Sequence, residues 1–155
     1  MPTPRVTRRA FEEKNRLVID GLRGLTPEDL EVWETGRDWL ARRTLDGEQG
    51  TARRRHPRAR LAVQAYLAGH GGAFTDDIGF GGLALRTHRK PPLQRGDEAY
   101  VRLRLSRHSV YLSGRVSWAD ASRLGIVIDG IHPGDARLLQ AMVCEKLLHR
   151  WDRLN

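Results

Sequence analysis

The chain has 155 residues, with 27 Lys or Arg against 19 Asp or Glu, a formal charge of +8, and that length suits one domain with room for a modest extra element. No apolar run approaches the eighteen or so residues of a membrane span, and no apolar stretch follows the basic N-terminus to make a secretory leader. Cys144 is the only cysteine, which excludes an intrachain disulfide and fits a reducing cytoplasm.

Residues 1–9 carry Pro and Arg and are expected to be loose. A first helix is expected over residues 10–22, with Phe11, Leu17 and Val18 on a rough apolar stripe. The second has a clearer start. Thr26 can cap, Pro27 suits the first helical position, and Glu28 and Asp29 favour the positive end of the dipole. Leu30, Trp33 and Leu40 recur at helical spacing, and the helix is expected to end near Arg43. Residues 44–52, TLDGEQGTA, read as a linker. The expected division is a helical extension over residues 1–52 and a second unit over residues 53–155. The two helices are expected to pack on that unit or to pair between subunits as a homo-oligomer.

From Leu61 the period changes to two. Leu61, Val63, Ala65 and Leu67 alternate with their neighbours, and residues 69–72 turn the chain. Residues 83–87 form another strand. Val101, Leu103 and Leu105 share a face, as do Val110, Leu112, Gly114, Val116 and Trp118, with Trp118 expected in the core. Arg107, His108 and Ser109 connect these two runs as a hairpin, and residues 125–129 add one more strand. Pro133, Gly134 and Asp135 open a last helix on which Ala136, Leu139, Val143 and Leu147 recur at three or four residues. The fold class is mainly β: an antiparallel barrel preceded by two helices and closed by a C-terminal one.

The charge is concentrated. Arg53, Arg54, Arg55, Arg58 and Arg60 place five cations in eight residues, and without them the net charge falls from +8 to +3. All but three of the 27 basic residues are Arg, whose guanidinium grips phosphate bidentately and stacks on bases. Pro57 disfavours helix at His56, so Arg54 and Arg58 sit on an extended or turned segment able to meet a compact anion from two sides. Alone, such a segment is more readily a solvated linker. The second constellation is Asp76-Asp77-Ile78-Gly79-Phe80-Gly81-Gly82. Its glycines let backbone approach a ligand closely, Asp77 offers acceptors to the N–H edge of guanine, and Ile78 and Phe80 anchor into the core. Alone, it is more readily a Gly-rich bend between strands. Arg58 and Asp77 bracket one expected strand and so can share a barrel rim.

With both motifs in hand, the sequence resembles the PilZ family, whose signature is RxxxR before the first barrel strand and [D/N]xSxxG some twenty to thirty residues later. Arg54-Arg55-His56-Pro57-Arg58 matches the first motif, with Arg53 as an extra arginine, and Asp77 and Gly82 match the second. The resemblance covers about residues 53–150. It implies a six-stranded barrel of a bacterial second-messenger receptor that binds cyclic di-GMP. Arg54 and Arg58 would then hold phosphate and guanine with Arg53 auxiliary, Asp77 would bind a guanine edge, and Gly82 would hold the turn. Gly79 stands where the family has serine. The hydroxyl lost there is worth about 0.5–1.5 kcal/mol, roughly a factor of two to ten in affinity.

Other chemistry finds little support. His56, His70, His88, His108, His132 and His149 are scattered without paired spacing, so no zinc pattern exists. There is no P-loop, GxSxG or dinucleotide fingerprint, and Cys144 suits a small buried residue better than a nucleophile. The expected function is a cytoplasmic receptor, not an enzyme, with no cofactor beyond its ligand and a downstream protein partner. The rivals are a PilZ-like adaptor that binds proteins without nucleotide and, from the isoelectric point near 10.7, a basic nucleic-acid-binding protein.

Overall fold

A computed structural model describes residues 6–21, 24–47, 55–105 and 107–153. Helix α1 (Arg8–Ile19) starts earlier than expected because Thr7 caps it, its hydroxyl accepting from Ala10 N at 3.1 Å. Helix α2 (Pro27–Gly47) opens on a reciprocal cap. Asp29 N donates to Thr26 Oγ1 at 3.1 Å, and Thr26 N donates to Asp29 Oδ2 at 3.2 Å. This helix runs past Arg43 into the expected linker, because Thr44 is buried and prolongs the packed face. The rest of that linker, residues 48–52, lies outside the described residues.

Seven strands follow: β1 (Arg58–Ala59), β2 (Gln64–Leu67), β3 (Gly71–Gly79), β4 (Gly82–Thr87), β5 (Glu98–Leu105), β6 (His108–Asp120) and β7 (Arg123–Ile131). All pair antiparallel in the order β1-β3-β2-β5-β6-β7-β4, and β4 pairs back with β3, so the sheet closes. Strands β1 and β2 lie against the same side of β3, at Ile78–Gly79 and at Gly71–Phe74. They act as one interrupted strand of a six-stranded barrel. The interruption is pinned by Thr75, whose hydroxyl accepts from Val63 N at 2.8 Å and donates to the Leu61 carbonyl. Leu67, Ile78, Leu83, Leu85, Leu103, Leu105, Leu124 and Ile126 are among its fully buried side chains.

Three expectations are corrected here. Residues 71–79 are a strand, not a turn and a bend. His108 belongs to β6 and pairs with Leu105, so the β5–β6 connection is tighter than the expected Arg107–Ser109 turn. Trp118 is outside the barrel, because a bulge between Val116 and Trp118 reverses the alternation. Its indole lies across Gly125, where a Cβ would collide with the ring, and the Arg123 guanidinium sits 5.7 Å from it.

Helix α3 (Pro133–Leu147) lies against β1, β3 and β5 and continues into a short 3-10 helix, Leu148–Arg153. Helices α1 and α2 pack on α3 and this 3-10 helix. One buried asparagine ties the three: Asn15 donates to the Ala141 carbonyl at 3.0 Å and accepts from Trp33 Nε1 at 2.9 Å. Trp151, on the 3-10 helix, stacks on Phe11 at 5.4 Å and against Trp39 at 4.4 Å. Barrel and helices share one hydrophobic core. No helix among the described residues is long and apolar enough to cross a membrane.

Candidate functional site

The site is built at one end of β3. Between Thr75 and Asp77 the register with β4 shifts, leaving Asp76 as an extra residue. Such a bulge reverses the side-chain alternation beyond it. Thr75 and Ile78 therefore point into the barrel, while Asp77 and Gly79 share the outer side with Arg58, the direct partner of Gly79. Without the bulge Asp77 would face the apolar interior.

The two adjacent carboxylates part company. Asp76 takes Arg86 Nε at 3.1 Å and Arg123 Nε at 2.7 Å, clamping β3, β4 and β7 from outside. Arg86 foremost and Arg123 after it hold the Asp76 carboxyl below the usual range. Asp77 instead faces Arg58, Nη1 to Oδ1 at 3.5 Å. That oxygen is buried and has no hydrogen-bond partner among the described residues. A buried acceptor without a donor is costly, by about 1–3 kcal/mol.

The segment ahead of β1 lies on the glycines. A Cβ at Gly79 would sit 2.9 Å from the Pro57 carbonyl oxygen and 3.1 Å from Arg58 Cγ, and one at Gly81 would sit 3.1 Å from His56 Cδ2. The His56 ring is 6.0 Å from Phe80, which is partly buried against the core. Gly82 begins β4 rather than lying in the turn, so close to the Ile126 carbonyl oxygen that a Cβ would stand 2.8 Å away. Of the expected site residues, the structure thus gathers Arg58, Asp77 and Gly79 and places Gly82 at the neighbouring strand start. Arg53 and Arg54 lie outside the described residues.

Beside Asp77 opens a hollow of about 530 Å³ lined by Arg58, Ala59, Arg60 and Asp77 on one side and by Lys146, Leu147, His149 and Arg150 on the other. The second wall comes from the end of α3 and the 3-10 helix. The sequence reading missed it, since a basic C-terminal helix end is also what the helix dipole favours. Its three polar side chains fall into register only because α3 lies against β1 and β3. The hollow offers four permanent cations around one carboxylate, the complement of a compact anion that also carries N–H donors. Burial pushes the Cys144 thiol up to about 12, and no cluster of His, Cys, Asp and Glu among the described residues could hold a metal.

A family model described as PilZ domain matches residues 52–145. No curated protein matches the chain. Among solved structures, the chain is similar to the inhibitor of motility (MotI/DgrA) of Bacillus subtilis, with a TM-score of 0.57 and 16% identity, covering 63% of this chain and 52% of that one. It therefore spans about half the length of that protein, and the likeness concerns the fold. It also matches the PilZ domain of CeSA from a cellulose synthesizing bacterium, with a TM-score of 0.48, 18% identity, and coverage of 57% of this chain and 96% of that one. The PilZ domain with c-di-GMP of YcgR from Escherichia coli gives a TM-score of 0.49, 18% identity, and coverage of 65% and 95%.

Proposed function

We propose that this chain, which belongs to the PilZ domain family, is a cyclic di-GMP receptor whose ligand sits between the outer end of β3 and the end of α3. The observation that carries the reading is the Asp77 carboxylate. One of its oxygens is buried without a hydrogen-bond donor, at the mouth of a hollow ringed by Arg58, Arg60, Lys146 and Arg150. A guanine edge supplies N–H donors to that oxygen, and the arginines pair with the two phosphates and stack over the bases. Arg54 and Arg58 are the main anchors of the ligand, with Arg53 auxiliary. Gly79 and Gly81 keep the floor low enough for Pro57 and His56 to lie on it. Nothing in this constellation asks for bond breaking, and the function is binding followed by a conformational change that a protein partner reads.

Isothermal titration with cyclic di-GMP tests the site. Loss of one charge-assisted hydrogen bond is worth about 1.5–3 kcal/mol, so Arg58→Ala is expected to weaken binding by roughly ten- to hundredfold. The Arg54→Ala, Arg58→Ala double variant is expected to abolish measurable heat. Tight binding that survives the double variant would refute the assignment. A wild-type chain that gives no heat would instead mark a barrel serving protein contacts alone.

A further inference from the structure

All three tyrosines of the chain stand on one outer face of the barrel, Tyr66 at 43%, Tyr100 at 58% and Tyr111 at 64% exposure. Strand register sets them there. Tyr66 of β2 is opposite Arg102 of β5, and Arg102 is opposite Tyr111 of β6, so ring, guanidinium and ring form one row. Tyr100 precedes Arg102 by two residues and is the diagonal neighbour of Tyr111. The Arg102 guanidinium lies 5.4 Å from the Tyr66 ring centroid, which fixes the cation and leaves Tyr100 and Tyr111 as the open rings. Between the rings runs a groove of about 540 Å³ over Ala68, Ser113 and Gly130, with His132 at its edge. Gly130 keeps the floor low, since a Cβ there would collide with Ser113 Oγ.

Charge is graded along this face. At one end Glu98 and Asp129 are held by Arg115 at 3.5 and 3.9 Å, and Tyr100 Oη donates to Glu98 at 3.2 Å. At the other end Arg104 continues the outward positions of β5 beyond Arg102, and neither has a carboxylate partner among the described residues. Of the aliphatic lining, Val101 and Leu112 are buried and Ile131 is half-buried, so the surface the groove offers is mostly aromatic ring and guanidinium. Planar rings alternating with guanidinium groups that no carboxylate neutralises complement a polymer that alternates bases and phosphates. The chain's excess of positive charge draws such a polymer in.

We propose that this face binds single-stranded nucleic acid, two bases stacking on Tyr100 and Tyr111 while Arg102 and Arg104 hold the phosphates. The surface shares no residue with the hollow beside Asp77. The test is fluorescence anisotropy of labelled oligo(dT) and oligo(U) with the full chain at low salt. Binding is expected to weaken roughly tenfold with Tyr100→Ala or Tyr111→Ala and to persist with Tyr→Phe at either position. Two phosphate contacts give log affinity a slope of about −1.4 against log salt. Arg58→Ala is expected to leave polymer binding in place. Should the alanine variants lose their fold by circular dichroism, Tyr→Leu keeps the bulk, removes the stacking face, and is expected to lose binding too. The inference falls if neither polymer binds at low salt. It also falls if the tyrosine variants bind unchanged, which would assign the polymer to the arginines around Arg58. A face whose substitution affects only a protein partner would be a protein-docking surface, and that result overturns the inference as well.

Discussion

At position 79 a side chain would have to share space with the backbone ahead of β1. From the sequence, Gly79 looks like a serine lost, and Gly79→Ser like a repair. In the structure a Cβ there meets the Pro57 carbonyl oxygen at 2.9 Å, and a backbone atom cannot swing aside as a side chain would. Gly79→Ser is expected to push β1 off β3 and to cost about 1–3 kcal/mol, the usual range for overpacking. It should weaken, not tighten, the binding of cyclic di-GMP. Urea denaturation and titration of the same variant check both parts. Asp76 makes a second prediction at this scale. Its carboxyl is held low by Arg86 and Arg123, so the stability it contributes is full above the unfolded value near pH 4 and is lost as pH falls through its lower folded value. The group is partly exposed, which limits the effect to about 0.5–1 kcal/mol. Asp76→Asn should lower the urea midpoint at pH 7 and narrow its gap to wild type near pH 3. The residues of the candidate site are legible to the same degree as their local chemistry. Arg58 and Asp77 announce themselves by motif and spacing, whereas Lys146, His149 and Arg150 join the site only through tertiary packing that no local pattern encodes.

Elements were read well where one periodicity ran unbroken, and poorly where a bulge or glycine interrupted it. Strand β5 alternates strictly, and Val101, Leu103 and Leu105 mark its inner face in the sequence. Strand β3 carries three glycines and two aspartates, a composition typical of turns, yet it pairs along both its edges. Its propensity deficit is overridden by its place between β2 and β4. Strand β6 alternates as far as Val116, where its bulge turns Trp118 outward to the surface. Helix α2 shows the opposite effect at Gly36. A glycine within a helix costs about 1 kcal/mol relative to alanine, so Gly36→Ala would be stabilising on propensity alone. Here a Cβ would land on the Phe11 ring, which is fully buried and stacked on Trp151. Gly36→Ala is therefore expected to destabilise by about 1–3 kcal/mol, lowering the urea midpoint without changing the slope.

At the scale of the molecule, the antiparallel barrel and the count of helices followed from the sequence, because period and turn residues specify them. The placement of the helices did not. An apolar stripe says that a helix is covered, not by what, and here α3 covers both α1 and α2 on one side and the barrel on the other. The residues that line the hollow and those that hold the helices together thus lie on one short stretch of chain: Lys146, His149 and Arg150 face the hollow, and Trp151 packs between Phe11 and Trp39. This arrangement has an optical corollary. Two of the four indoles lie 4.4 Å apart, one of them next to the hollow's second wall, so titrant entering the hollow of unlabelled protein is expected to change the colour and intensity of its tryptophan light.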